Sequence, residues 1–157
     1  MKKLLIIGIA IIAFFALIVF LSNQSDKAKL KDNPYRTDNL EKSTIALIGD
    51  ENYDNIVLPE TLFEKIESGE SVTAYYFHPE CQFCMQMTPV LTPIAKEMDV
   101  NVLQYNMLEF GTQVSEKYDI KSWPALVHYE DGKEVGRMLG AQPEENIRAF
   151  FKEFEGK

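Results

Sequence analysis

Val72-Thr73-Ala74-Tyr75-Tyr76-Phe77-His78-Pro79-Glu80-Cys81-Gln82-Phe83-Cys84 is the stretch on which the fold of this chain turns. Its first six residues are rich in β-branched and aromatic side chains and read as a strand. From Cys84-Met85-Gln86-Met87 onward the chain can be helical. A cysteine in the first turn of a helix faces unpaired backbone N–H groups and the positive end of the helix dipole, and both favour thiolate over thiol. Cys84, three residues after Cys81, falls on the same helix face, with the two Cα atoms within disulfide range. These are the only two cysteines in the chain. The pair can cycle between dithiol and disulfide with little backbone movement.

Three plainer readings stand beside the redox one. A static disulfide would close so short a loop that it would constrain the unfolded chain little. Half of a zinc site would need two more ligands, and only His78 and His128 could complete the set. An inert pair is the third. The strand–Cys-x-x-Cys–helix setting favours redox chemistry.

Outward from this stretch, the chain of 157 residues is long enough for one domain and a targeting segment. Met1-Lys2-Lys3 precedes Leu4 to Leu21, eighteen residues with no polar side chain. At about 1.5 Å per residue the run nearly spans a bilayer core of roughly 30 Å. Lys2 and Lys3 would stay cytoplasmic and place the C-terminal part outside. The run ends Ile18-Val19-Phe20-Leu21-Ser22-Asn23, without an Ala-x-Ala pattern, which favours an uncleaved anchor over a cleaved signal peptide. The expected organisation is an anchor over 1–21, a polar tether over 22–43 with mixed charge and Pro34, and one domain over 44–157. That domain carries nine basic and twenty acidic residues, a net charge of −11. Such a surface is a poor candidate for binding nucleic acid.

Within the domain, Pro59 opens a helical stretch with Leu62, Phe63 and Ile66 on one face, and Gly69 suits its end. Val100 to Tyr105 reads as a strand, and Val114 to Tyr118 as a short helix. Ala125–Tyr129 and Glu134–Leu139 read as a hairpin joined at Asp131-Gly132. Ile147, Phe150, Phe151 and Phe154 repeat at helical spacing. The order implies an α/β sheet covered on both faces.

This order, with Cys-x-x-Cys after a strand, resembles the thioredoxin fold over about residues 44–156. Pro89 stands five residues after Cys84, where thioredoxins kink the active-site helix. Tyr118-Asp119-Ile120-Lys121-Ser122-Trp123-Pro124 resembles the segment leading to the family's cis-proline. Asp131-Gly132 matches its hairpin, and Gly140-Ala141 matches a glycine near the substrate groove. About forty residues separate Cys84 from Pro124. That leaves no room for the helical insert of the periplasmic oxidants or for the central insert of cytochrome-maturation relatives.

The resemblance implies a central mixed β-sheet flanked by helices, here preceded by one transmembrane helix. It implies thiol–disulfide exchange by Cys81 and Cys84 with no cofactor beyond their own disulfide, no bound metal, and a docking rim of Phe83, Trp123, Pro124 and Gly140. The implied partners are thiols and disulfides of exported proteins and a membrane or extracytoplasmic redox partner. The implied place is the outer face of the cytoplasmic membrane; so few cysteines in an exported chain fit a bacterium that makes few exported disulfides.

Departures from the family pattern matter too. Six residues before the first cysteine, where thioredoxins commonly bury an aspartate, stands Tyr75. A lysine often found beside it aligns with Tyr105. Tyrosine is a poor base at neutral pH, its pKa lying near ~10. Glu80 takes the place of a usual tryptophan and would oppose a thiolate at Cys81, whereas a cationic His78 would favour one. Gln82-Phe83 between the cysteines matches no well-known subtype and leaves the redox direction open. A non-catalytic thioredoxin-like adaptor of a membrane or secretion complex is the rival reading. A metal-delivery protein is the third; for it Met85 and Met87 look relevant, but their spacing suits packing.

Overall fold

Every residue of β1 (Val72–Phe77) is buried, because the strand lies inside a sheet covered on both faces. β1 pairs in parallel with β2 (Val102–Asn106) and antiparallel with β3 (Ala125–Glu130), which pairs antiparallel with β4 (Lys133–Leu139). The order is β2-β1-β3-β4, a mixed sheet in the computed structural model of residues 2–154. Met1 and the last three residues of the expected 44–157 domain lie outside the described residues, as do the side chains of residues 2–5, Lys2 and Lys3 among them.

The pleat sends alternate β1 side chains to two cores. Val72, Ala74 and Tyr76 join Leu62, Ile66, Tyr105, Val114 and Val127 under α3 (Pro59–Glu67) and α5 (Met107–Tyr118). Tyr75 and Phe77 join Cys84, Met87, Leu91, Ile147, Phe150 and Phe151 under α4 (Gln82–Glu97) and α6 (Glu144–Phe154). Asp131 and Gly132 both take positive φ, 50° and 76°, which gives the hairpin the twist that its strands need.

Two boundaries differ from the sequence reading, each for a local reason. β2 begins at Val102 because Asp99 and Val100 close α4: Asp99, at φ 56°, donates its N–H to Lys96, and Val100 donates to Ala95. α5 begins at Met107, seven residues before Val114, because the Asn106 side chain accepts the Leu108 N–H and caps the helix directly from the strand. Ile45 to Ile48 contains the end of the short helix α2 (Lys42–Leu47), and Ile56 makes an isolated bridge to Gln104.

The apolar run lies in α1 (Lys2–Leu30), whose Ile6–Leu30 portion is long and apolar enough to cross a membrane, with its apolar window unburied. The polar 22–43 stretch has a definite course. α1 continues through it to Leu30, and Lys29 donates to the carbonyls of Ile45 (3.3 Å) and Ala46 (2.9 Å) in α2. Tyr35 is buried beside Phe110, and its hydroxyl accepts from Asn106 Nδ2 at 3.0 Å.

Candidate functional site

After β1 the chain turns through His78-Pro79-Glu80, and the Cys81 N–H donates to the His78 carbonyl. Cys81 is the N-cap of α4, in extended conformation, with its carbonyl accepting the Met85 N–H. Its thiol caps nothing and is partly exposed, 3.8 Å from the Trp123 carbonyl to which it can donate. Cys84 sits one turn inside and is wholly buried. Both are free thiols. One elementary fact of helix geometry therefore gives two unlike sulfurs: one at the open end, one against the sheet.

Burial is the main reason the Cys84 thiol is pushed up to about 12, with the neighbouring Cys81 adding to it; the His78 backbone N–H, which donates to Cys84 Sγ at 3.4 Å, works the other way. Beneath it lies a layer of hydroxyls. Thr88 donates to the Cys84 carbonyl (2.8 Å), so the Tyr75 hydroxyl, 2.9 Å from Thr88 Oγ1, is the donor in that contact. Burial pushes Tyr75 well above the usual phenol range. Besides tyrosines, the buried polar side chains among the described residues are Thr44, Thr73, Thr88, Thr92, Gln104, Asn106 and His128, with no carboxylate among them. Tyr105 is corrected: it pairs in register with Tyr76 and points into the opposite core, so it cannot partner Tyr75. Gln104 is the residue beside Tyr75, and its amide donates to Asn52 O and Thr92 Oγ1. The shift of one residue exchanges the two faces of a strand.

Around Cys81 the structure gathers most of the residues expected there. The Trp123–Pro124 peptide bond is cis, and the Pro124 carbonyl accepts the Gly140 N–H at 2.8 Å. Gly140 has φ +75° with open space where a Cβ would stand. Phe83 is 61% exposed and Trp123 37%, so both are surface features rather than core. The His78 ring stacks on Trp123 at 5.3 Å, and its Nδ1 accepts the Glu80 N–H. The Glu80 carboxylate accepts from the Ser43 hydroxyl at 3.0 Å. Met87 is core, as its spacing suggests, but Met85 is 51% exposed. His128 is not brought to the cysteines: it is buried on β3 opposite Thr73, four strand positions, or about 13 Å, from the Phe77 end of β1. Thr88, Gln104, Ser43 and Asn106 went unread in the sequence. A signal existed for the N-terminal contacts in Tyr35, the one aromatic between Ser22 and Ser43.

The family model for thioredoxin matches residues 47–153, most of the chain. The chain belongs to the thioredoxin family. The thioredoxin of Chlamydia trachomatis is 31% identical over 93 residues, 59% of this chain and 89% of that one. That of Staphylococcus epidermidis is 32% identical over 85 residues, covering 53% of this chain and 80% of its own. Among solved structures, Chlamydomonas reinhardtii thioredoxin f2 superposes with a TM-score of 0.56 at 19% identity, over 65% of this chain and 96% of its own. Thioredoxin from Halobacterium salinarum does so with 0.55 at 23%, over 63% and 88%. The part of this chain outside the thioredoxin match is chiefly α1 and the segment that follows it.

Proposed function

We propose that this thioredoxin-family chain exchanges thiols and disulfides with exported proteins from the outer face of the cytoplasmic membrane. The observation that carries the reading is the asymmetry of the pair: Cys81 is accessible at a helix N-terminus and Cys84 is buried behind it. As a reductase, the Cys81 thiolate attacks a substrate disulfide, one substrate sulfur leaves as thiolate, and a mixed disulfide forms. Cys84 loses its proton and attacks the Cys81 sulfur, which releases the second substrate thiolate and leaves the Cys81–Cys84 disulfide. As an oxidase the same steps run backwards. Phe83 and Trp123 supply an apolar rim for the substrate segment, and the backbone around Pro124 offers groups that an extended chain can bond.

The membrane placement draws on the Ile6–Leu30 helix and on Lys2 and Lys3 before it. No cofactor is needed beyond the cysteine pair. The test is capture of the intermediate. Cys81→Ser should abolish turnover, whereas Cys84→Ser should accumulate mixed disulfides that migrate as reducible adducts. Full turnover by either variant refutes the mechanism. A soluble domain that does not reduce insulin, in any redox buffer, favours the adaptor.

A further inference from the structure

The residues between the membrane-spanning helix and the domain form a folded bracket over the active-site end of the sheet. Asn33 donates from Nδ2 to the carbonyls of Leu30 and Thr37 and accepts the Tyr35 N–H, which closes a turn directly after α1. Tyr35 and Thr44, both buried, are tied by the same amide: Asn106 Nδ2 donates to Tyr35 Oη (3.0 Å) and Thr44 Oγ1 (3.1 Å). Asn106 is itself wholly buried, and its remaining oxygen is spent on the Leu108 N–H. It stands at the end of β2, paired with Phe77 at the end of β1, four residues from Cys81. Two further contacts fasten the bracket: Glu41 N–H to Glu109, and Ser43 to Glu80, the residue adjoining Cys81. At the other end, Lys29 of α1 holds the carbonyls of α2.

A free tether from Ser22 to Ser43 would let the thiol roam to about 70 Å from the bilayer, at roughly 3.3 Å per residue. The bracket removes that freedom. Nine residues of α1 beyond Leu21 rise at most ~14 Å. Adding the side-chain spans from Lys29 through α2, and from Ser43 through Glu80, keeps Cys81 within about 40 Å of the membrane surface.

We propose that the bracket holds the Cys81–Cys84 site in a fixed layer close to the membrane, so that its exchange partner is a thiol or disulfide of another membrane protein lying in that layer. The inference rests on the membrane and exchange readings above and adds a height and a partner class to them. It also accounts for a buried Asn106 amide that serves only the bracket and the α5 cap.

The test uses the full-length chain in phosphatidylcholine–phosphatidylglycerol vesicles. In the Cys84→Ser variant, a fluorophore on Cys81 should transfer energy to headgroup acceptors with one narrow distance below about 40 Å, the ceiling worked above. Asn106→Ala or Tyr35→Ala should broaden and lengthen that distance. With wild-type cysteines, a peptide disulfide anchored to lipid through a short spacer should be reduced at least about tenfold faster than the same peptide on a rigid spacer that holds it about 55 Å above the bilayer, past the bracket's ceiling but inside the free-tether reach. A broad distance in the unmutated bracket, or equal rates on both spacers, overturns the proposal and returns soluble exported proteins as partners. Failure to float with the vesicles overturns the membrane reading instead, and failure to reduce either peptide while reducing no insulin overturns the exchange reading.

Discussion

Raising the pH on a saturated reductive half-reaction isolates the step in which Cys84 attacks. Cys84 has hydroxyls and a backbone N–H about it, and among the described residues no buried carboxylate to take its proton. Burial, the largest cause of the raised Cys84 thiol, persists when Cys81 is held in the mixed disulfide, so the thiolate is a small minority at pH 7 and grows about tenfold per pH unit. The assay is stopped-flow release of the second substrate thiol from reduced protein, with substrate disulfide high enough that the Cys81 attack is not limiting. The first-order rate should climb close to tenfold per unit from pH 7 to 10 without a plateau. Tyr75→Phe should keep this slope, since the Tyr75 hydroxyl donates toward Thr88 and takes no proton from Cys84. Tyr75→Asp, if it folds, should raise the rate at pH 7 and flatten the slope by supplying the missing base. A plateau below about pH 9 in the unmutated protein, or loss of the slope in Tyr75→Phe, would show that a protein group takes the proton and would refute the reasoning.

Alkaline stability follows from the buried phenols. Tyr35 is pushed up to about 12 and Tyr75, Tyr76, Tyr105 and Tyr129 are raised, each chiefly by burial. The unfolded phenols ionise near ~10, so stability is intact below that pH and falls as pH rises through it; denaturant midpoints equal at pH 8 and 11 would contradict this. Gly136→Ala places a Cβ 2.2 Å from Phe154 Cζ and should cost about 1–3 kcal/mol in urea unfolding. Phe151→Ala opens the core under α6 and should cost roughly 3–5 kcal/mol, with an unchanged midpoint counting against that packing. After mild reduction, a membrane-impermeant maleimide on intact cells carrying the Cys84→Ser variant should label Cys81; protection would show that Lys27, Lys29 and Lys31 beyond the span outweigh Lys2 and Lys3 in setting orientation.

The sheet and its two cores were legible because their signals are local and periodic. Val72–Phe77, Asp131-Gly132 and the Ile147-Phe150-Phe151-Phe154 spacing each declare an element without help from elsewhere. The cysteine pair and Trp123-Pro124 were legible as a spacing within that frame. What was not legible depends on partners distant in the chain. Tyr105 and Gln104 are neighbours in sequence, and only the β1–β2 register decides which one faces Cys84's core. Asn106 reads equally well as a strand end or a helix cap, and its grip on Tyr35 and Thr44 spans 71 and 62 residues. Glu80 looked like a free carboxylate beside Cys81 until Ser43, 37 residues earlier, was seen to hold it.

The central claim is that Cys81 and Cys84 form a reversible dithiol–disulfide couple in a folded domain. Equilibrating residues 22–157 with graded glutathione or dithiothreitol buffers, and reading the two thiols by mass after alkylation, tests it most directly. The account predicts one two-electron transition with the fold retained on both sides. A midpoint near about −250 mV or below would set the flow toward reduction of substrates, and one near about −120 to −180 mV toward oxidation or isomerisation. A pair that exchanges only when the protein unfolds would contradict the account and leave a structural disulfide in its place.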